Sequence, residues 1–187
     1  HPMDPDFNDI LEKIIAGRYN KKLMNDAASH LKAIEKARKL KNWSQYDDLT
    51  NEVIQRDPRI FYFLVMDRIK VFMNDQKDPA KANEYTREAI QSYPDDPELL
   101  SWIAEMIATD PQIPDAQRDM DIALEAAQAA RVNGRPNDPK FVMSEAVVRF
   151  QRGEIDDAVM LQEKAYFMAA PRKKGEYRPK LDEFRKK

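Results

Sequence analysis

The chain has 187 residues, no cysteine and a net charge of −2, from 31 Lys and Arg against 33 Asp and Glu. Without cysteine, the sequence excludes disulfides, thiolate nucleophiles and zinc–thiolate sites within its length. The near balance of charge argues against a general role on nucleic acid or on membrane surfaces. No apolar run approaches the roughly 20 residues of a membrane-spanning helix, so we expect no membrane insertion.

Glycine and proline divide the chain into helix-sized segments. Each glycine falls where an apolar helical pattern stops, at a position that suits a helix end: Gly17, Gly134, Gly153 and Gly175. Proline is absent from 6 to 57 and later stands at the apparent breaks. Since no stretch sustains an alternating apolar–polar pattern, the sequence predicts an all-α fold.

Apolar residues recur at helical spacing between these breaks. The pattern predicts helices over 6–17, 21–41, 44–56, 59–74, 79–93, 97–109 and 116–132, two more between 138 and 171 that turn at Gly153, and a terminal helix carrying Leu181 and Phe184. The segment 59–74 is the most apolar. It is too short to span a bilayer and contains three charged residues, so we interpret it as a buried central helix.

A seven-residue spacing recurs in successive second helices. It joins these pairs, most of them small residues that let two helices approach closely: Tyr46/Val53, Ala82/Ala89, Ala123/Ala130 and Ala158/Ala165. This pattern resembles the tetratricopeptide repeat, a helix–turn–helix unit of about 34 residues. The resemblance covers roughly 21–171 and implies an array of helical hairpins, about ten helices in all, closed by a basic capping tail over 172–187.

Three longer stretches resemble the helical C-terminal region of bacterial thioredoxin-like proteins of the TlpA or peroxiredoxin-like type: LLSWIAEMIATDPQIPDAQRDMDIALEAAQAARVNGRPNDPKF, RFQRGEIDDAVMLQEKAYFMA and YRPKLDEFRKK. The opening HPMDPDFNDILEKIIAGRY is similar to the end of such a thioredoxin domain. The resemblance implies that residues 1–20 are the exit from a preceding redox domain plus a short helix. It also implies a bacterial protein of the cell envelope or periplasm that serves redox homeostasis. The family's reactive Cys-x-x-Cys has no counterpart here.

Few residues suggest a site. His1 and His30 lie far apart with no spaced partner, which argues against a histidine-based metal site. The pairs Asp95-Asp96 and Asp156-Asp157 stand at predicted helix starts, where carboxylates cap the helix and interact with its dipole. We therefore expect no catalytic residue, no cofactor and no metal.

The remaining candidates are contacts in a groove. Trp43 and Trp102 each suit either a ligand groove or inter-helix packing, and packing is the simpler interpretation. Arg68, Lys70 and Asn74 supply part of a clamp that would capture a partner's terminal carboxylate. The helix from 99 to 107 adds no basic residue to that clamp. Arg68, Lys70, Asn74 and Trp102 stay as possible partner contacts.

These observations favour a non-catalytic scaffold or protein-interaction region of a thioredoxin-family thiol–disulfide oxidoreductase. The alternative is a stand-alone tetratricopeptide-type adaptor that binds a protein partner in its groove. The expected partner is another protein or a second copy of the chain. An enzyme is disfavoured because the sequence lacks a phosphate-binding glycine loop, clustered histidines and a nucleophile motif.

Overall fold

The computed structural model describes residues 10, 11, 13–135 and 138–187, and every regular element within these ranges is helical. Residues 10, 11 and 13–15 are helical and precede nine named α-helices. These are α1 (Lys21–Lys39), α2 (Trp43–Arg56), α3 (Tyr62–Lys70), α4 (Pro79–Ser92), α5 (Pro97–Thr109), α6 (Met120–Asn133), α7 (Pro139–Gln151), α8 (Ile155–Met168) and α9 (Lys174–Phe184). A π-helical segment covers Val71–Asp75, and 3₁₀ turns cover Asp115–Gln117 and Pro171–Lys173.

The predicted all-α hairpin array is confirmed, and its second helices share one register. The helices α2, α4, α6 and α8 each have 14 residues. In every one of them the fourth and eleventh residues form the pair predicted from the seven-residue spacing, and all eight side chains are buried. The eighth residue lies between them and is also buried: Thr50, Thr86, Ala127 and Gln162. The seven-residue spacing in the sequence therefore marks equivalent buried positions in these four helices.

Side-chain caps begin most of these helices. An Asp or Asn at the N-cap accepts a hydrogen bond from a backbone N–H in the first turn, which satisfies a donor that the helix leaves unpaired. The six helices α1, α2, α4, α5, α6 and α7 begin in this way, at Asn20, Asn42, Asp78, Asp96, Asp119 and Asp138. The capping role predicted for Asp96 is thus confirmed, with Leu99 N–H as its donor at 3.0 Å.

The turn at Gly153 links α7 to α8. Gly153 has a φ of +82°, a conformation that costs a residue with a side chain about 1 kcal/mol or more. Its N–H donates to the carbonyl of Phe150, and the next N–H, of Glu154, donates to the carbonyl of Arg149, both at 3.0 Å. This is the Schellman arrangement of a helix C-terminus.

The same arrangement ends α1 without a glycine. Lys41 has a φ of +54°, its N–H donates to Arg38, and the N–H of Asn42 donates to Ala37. A lysine therefore occupies a position at which glycine is the ordinary residue.

The chain divides into two compact units, residues 1–67 and 68–187, with the boundary inside α3. In the first unit α1 packs on α2. Asp67 accepts hydrogen bonds from Arg38 and from the hydroxyl of the fully buried Tyr46, each at 2.8 Å. These bonds join the polar edge of the α1–α2 hairpin to α3.

In the second unit two hairpins, α5–α6 and α7–α8, stack side by side. The first helices α5 and α7 pack on each other, and α6 also packs on α7. Phe184 of α9 stacks on Phe150 of α7 with ring centroids 4.2 Å apart. The predicted C-terminal capping helix is therefore confirmed.

Two predicted boundaries were wrong. The helix predicted over 59–74 begins at Tyr62, because Asp57 draws the chain into a turn by accepting from the N–H groups of Arg59 and Ile60. It then passes into the π segment. The helix predicted from 116 begins at Met120, after a 3₁₀ turn, because Asp119 is its N-cap.

Two substitutions with opposite expected effects on the free energy of unfolding test the turn geometry. We expect Gly153→Ala to lower the free energy of unfolding by about 1 kcal/mol, because alanine is strained at positive φ although no atom obstructs its methyl group. We expect Lys41→Gly to raise it by up to about 1 kcal/mol. Urea unfolding followed by circular dichroism measures both. A change of the same sign in the two variants would contradict the account.

Candidate functional site

The helix α5 presents three side chains of contrasting chemistry along one face. Glu98, Trp102 and Glu105 are spaced four and three residues apart, which places them in one row. The neighbouring first helix, α7, brings Lys140 to the same surface, and its buried Ser144 lies at the contact between the two helices. We call these five residues, with Lys180 of α9, the α5–α7 face.

Lys140 lies over Trp102. Its ammonium nitrogen is 5.0 Å from the centroid of the indole ring and 3.4 Å from a carboxylate oxygen of Glu98. A cation over the face of a tryptophan is attracted by the ring quadrupole, by about 0.5–1 kcal/mol at exposed sites. The side chains of Lys140 and Glu98 are each 34% exposed. The cluster is therefore ordered by its own contacts and still open to a partner.

The carboxyl group of Glu105 is partly buried, which makes its ionised form less favourable. Burial raises its pKa above the ordinary glutamate value, against the opposing effects of a hydrogen bond with Ser144 and of the charges of Lys180 and Lys140. Burial thus outweighs a hydrogen bond and two nearby cations. Perturbed carboxyl groups of this kind concentrate at functional surfaces, although structural groups also show them.

Ser144 fixes how closely the two helices approach. Its side chain is fully buried, and its hydroxyl oxygen lies 3.3 Å from the backbone carbonyl oxygen of Ser101. Because both residues are small, the backbones of α5 and α7 come near enough for Lys140 to reach Glu98, 42 residues away in sequence.

The four predicted groove contacts lie in different surroundings. Arg68 is 7% exposed, and its guanidinium carbon lies 4.3 Å from the ring centroid of Tyr85 and 5.5 Å from that of Phe72. Burial raises the pKa of Tyr85 to about 12, against the opposing charge of Arg68. Arg68 is thus engaged in packing between aromatic rings.

Lys70 forms an ion pair with Asp110 at 2.5 Å. Burial pushes the pKa of Asp110 upward, but the hydrogen bonds from Lys70 and from the N–H of Gln112, with the charges of Lys70 and Arg118, lower it overall. Asn74 lies in the π segment and is partly exposed. Of the four predicted contacts, only Trp102 belongs to the α5–α7 face.

The other candidates also have identifiable surroundings. His30 is partly exposed, and its Nε2 lies 3.1 Å from Glu52 and 3.1 Å from Arg56. Trp43 packs edge-on against Tyr46 in the first unit. His1 lies outside the described residues.

Asp156 and Asp157 occupy the first turn of α8, and Asp157 pairs with Arg149. Asp95 is exposed and directly precedes the α5 cap.

A second polar cluster has a structural role. Glu145 is 2% exposed and pairs with Arg131 of α6 and with Arg149 of its own helix. Arg149 also reaches Glu154, and Arg152 links Glu154 to Asp121. A buried carboxylate with two guanidinium partners is satisfied where it lies, so we assign this network to the joining of α6, α7 and α8.

The sequence interpretation missed Glu98, Glu105 and Lys140. The spacing of Glu98 and Glu105 about Trp102 was a signal that could have been found, because it places the three residues on one helix face. Lys140 could not have been added from the sequence, since it reaches the face only when two hairpins stack.

The described part of the chain contains no cluster of three or more His, Asp or Glu side chains arranged to hold a metal ion. No helix in the described ranges combines the length and the apolar character needed to cross a bilayer.

The fold therefore defines the class of this protein as an all-α array of helical hairpins. Comparisons with protein-family models, with curated proteins and with solved structures find no match for the chain.

Glu105 provides a test of the electrostatics of the face. A carboxyl group whose pKa is raised on folding reduces stability as the pH rises through its unfolded and then its folded pKa, because the unfolded state gives up its proton first. We expect Glu105→Gln to raise the melting temperature at pH 8, and we expect the difference from wild type to vanish below the ordinary glutamate pKa. Glu125→Gln, at an exposed position of α6, is the matched control. An equal effect of Glu105→Gln at all pH values would contradict the assignment.

Proposed function

We propose that the chain is a non-catalytic protein-interaction scaffold that binds a protein partner on the α5–α7 face. The observation that carries the proposal is the cluster of Trp102, Lys140 and Glu98. It combines an aromatic surface, a cation and a carboxylate on two helices of stacked hairpins. Tryptophan is enriched among the residues that contribute most to protein–protein binding.

The scaffold supports binding because its shape is set before the partner arrives. The side chains of the face project from helices whose contact is fixed by small buried residues such as Ser101 and Ser144. Little conformational freedom is then lost on association, and this favours affinity. Glu98 and Glu105 flank Trp102 with carboxyl groups, while Lys140 and Lys180 provide basic groups. A polar peptide surface with both signs of charge suits this arrangement.

We further propose that this scaffold is the interaction region of a thioredoxin-family thiol–disulfide oxidoreductase. This part rests on the sequence resemblance alone. A coding segment upstream of His1 with a thioredoxin-like pattern and a Cys-x-x-Cys would support it. An upstream segment without cysteine would remove it and leave the stand-alone adaptor.

Site-specific photo-crosslinking tests the interaction face. A photoreactive phenylalanine analogue replaces Trp102 in one variant and the exposed Glu125 of α6 in a matched control. After irradiation in the producing cell, we expect a discrete crosslinked protein from position 102. We expect that this protein is not crosslinked from position 125. Because Lys140 provides a basic group of the face, adding Lys140→Glu should reduce the yield from position 102 by about tenfold, the effect of roughly 1.4 kcal/mol.

Two results would contradict the interaction face. One is the same set of crosslinked proteins from positions 102 and 125. The other is a yield from position 102 that Lys140→Glu leaves unchanged while circular dichroism shows the fold intact.

A further inference from the structure

The helix α6 ends in an asparagine that a glycine follows directly. Asn133 is the last residue of the helix, Gly134 is its C-cap, and the sequence contains no other Asn-Gly pair. Asn133 is exposed, and Val132 before it is 73% exposed. Asparagine is a thermolabile residue. It loses its side-chain ammonia most readily before glycine, because a residue without a side chain leaves its backbone nitrogen unshielded and free to turn.

Close packing between α6 and α7 requires this glycine. A Cβ on Gly134 would lie 2.4 Å from the ring of Phe141 and 2.7 Å from the carbonyl oxygen of Ala130. Phe141 lies on α7 and is buried. A larger residue at position 134 would therefore strain the contact between the two helices. The packing thus keeps a glycine after Asn133, and with it the labile pair.

One hydrogen bond holds the backbone of the pair in place. The N–H of Gly134 donates to the carbonyl of Ala130 at 2.9 Å, and this bond restrains the nitrogen that would attack. It closes the last turn of α6, and hydrogen bonds at fraying helix ends open at a low free-energy cost. In the part of the chain that the structure describes, the side chain of Asn133 has no hydrogen-bond partner. Its amide carbon is therefore free to approach the Gly134 nitrogen whenever the last turn opens.

We propose that Asn133 is a site of spontaneous deamidation. The backbone nitrogen of Gly134 gives its proton to water and bonds to Cγ of Asn133. The bond from Cγ to Nδ2 then breaks, and the amide group leaves as ammonia with a proton from water, which leaves a succinimide ring. Water opens the ring at Cγ to give aspartate, or at the backbone carbonyl carbon to give isoaspartate. Water is the only co-reactant, and no atom is oxidised or reduced.

The two products should affect the fold differently. Isoaspartate places one more carbon atom in the main chain directly before Gly134. Because Gly134 packs against Phe141 without room for a methyl group, this extra atom should weaken the contact between α6 and α7. Aspartate keeps the main chain and adds only a negative charge at the helix C-terminus, which the helix dipole disfavours slightly. The proposal does not depend on the partner site, because neither Asn133 nor Gly134 belongs to the α5–α7 face.

Peptide mapping by mass spectrometry of the aged full chain tests the proposal. The folded protein is incubated in mildly alkaline buffer at physiological temperature, and each asparagine is followed with time. We expect Asn133 to lose ammonia first, with both aspartate and isoaspartate as products. The exposed Asn25 of α1, which Asp26 follows, is the control within the same chain and should stay intact over that time. Asn133→Gln should remove the modification.

Urea unfolding of the aged species tests the effect on packing. Ion-exchange chromatography separates the isoaspartate form, whose urea midpoint should lie below those of wild type and of Asn133→Asp. The site is overturned if Asn25 loses ammonia as fast as Asn133. It is also overturned if Asn133 stays intact in the folded chain but reacts in guanidinium chloride, because the bond to Ala130 then protects it. An isoaspartate form as stable as Asn133→Asp would overturn the effect on helix packing.

Discussion

The close approach of neighbouring helices is the constraint on which the rest of this structure depends. In three of the four second helices the fourth and eleventh residues are alanines, and none of these six side chains is more than 2% exposed. A methyl group at these positions lets the facing helix come near, and stacked hairpins then bury a continuous core. Gly134 allows the same close approach between α6 and α7, because a Cβ there would lie 2.4 Å from the ring of Phe141.

The close packing of the helices also brings together the side chains of the α5–α7 face. With α5 and α7 held together through Ser101 and Ser144, Lys140 can lie over Trp102 and still reach Glu98. The fold thus forms the α5–α7 face, a surface that combines carboxylates, basic groups and an indole ring. Its side chains project from two helices that pack on each other, which limits the entropy lost on binding.

The sequence predicts the local part of this architecture well, because caps, breakers and apolar spacing act over a few residues. The seven-residue pairs and the turn at Gly153 could be found in this way. The π segment after Lys70 could not, since no nearby residue signals an extra residue in the helical turn. Local sequence patterns also do not predict the ion network around Glu145 or the contact between Lys140 and Glu98, because both join residues that meet only after the hairpins stack. Arg68 shows the same limit: its charge suggested a clamp, while the folded chain places it between two aromatic rings.

The most direct test of the account enlarges one of the small packing residues. In a Trp43→Phe background, the fluorescence of Trp102 follows urea unfolding of the second unit. We predict that Ala158→Leu lowers the free energy of unfolding by about 1–3 kcal/mol, because the added atoms force α7 and α8 apart. Ala80→Leu, at an exposed position of α4, should change it by less than about 0.5 kcal/mol. Equal stability of the two variants would contradict the claim that close helix packing holds this structure together.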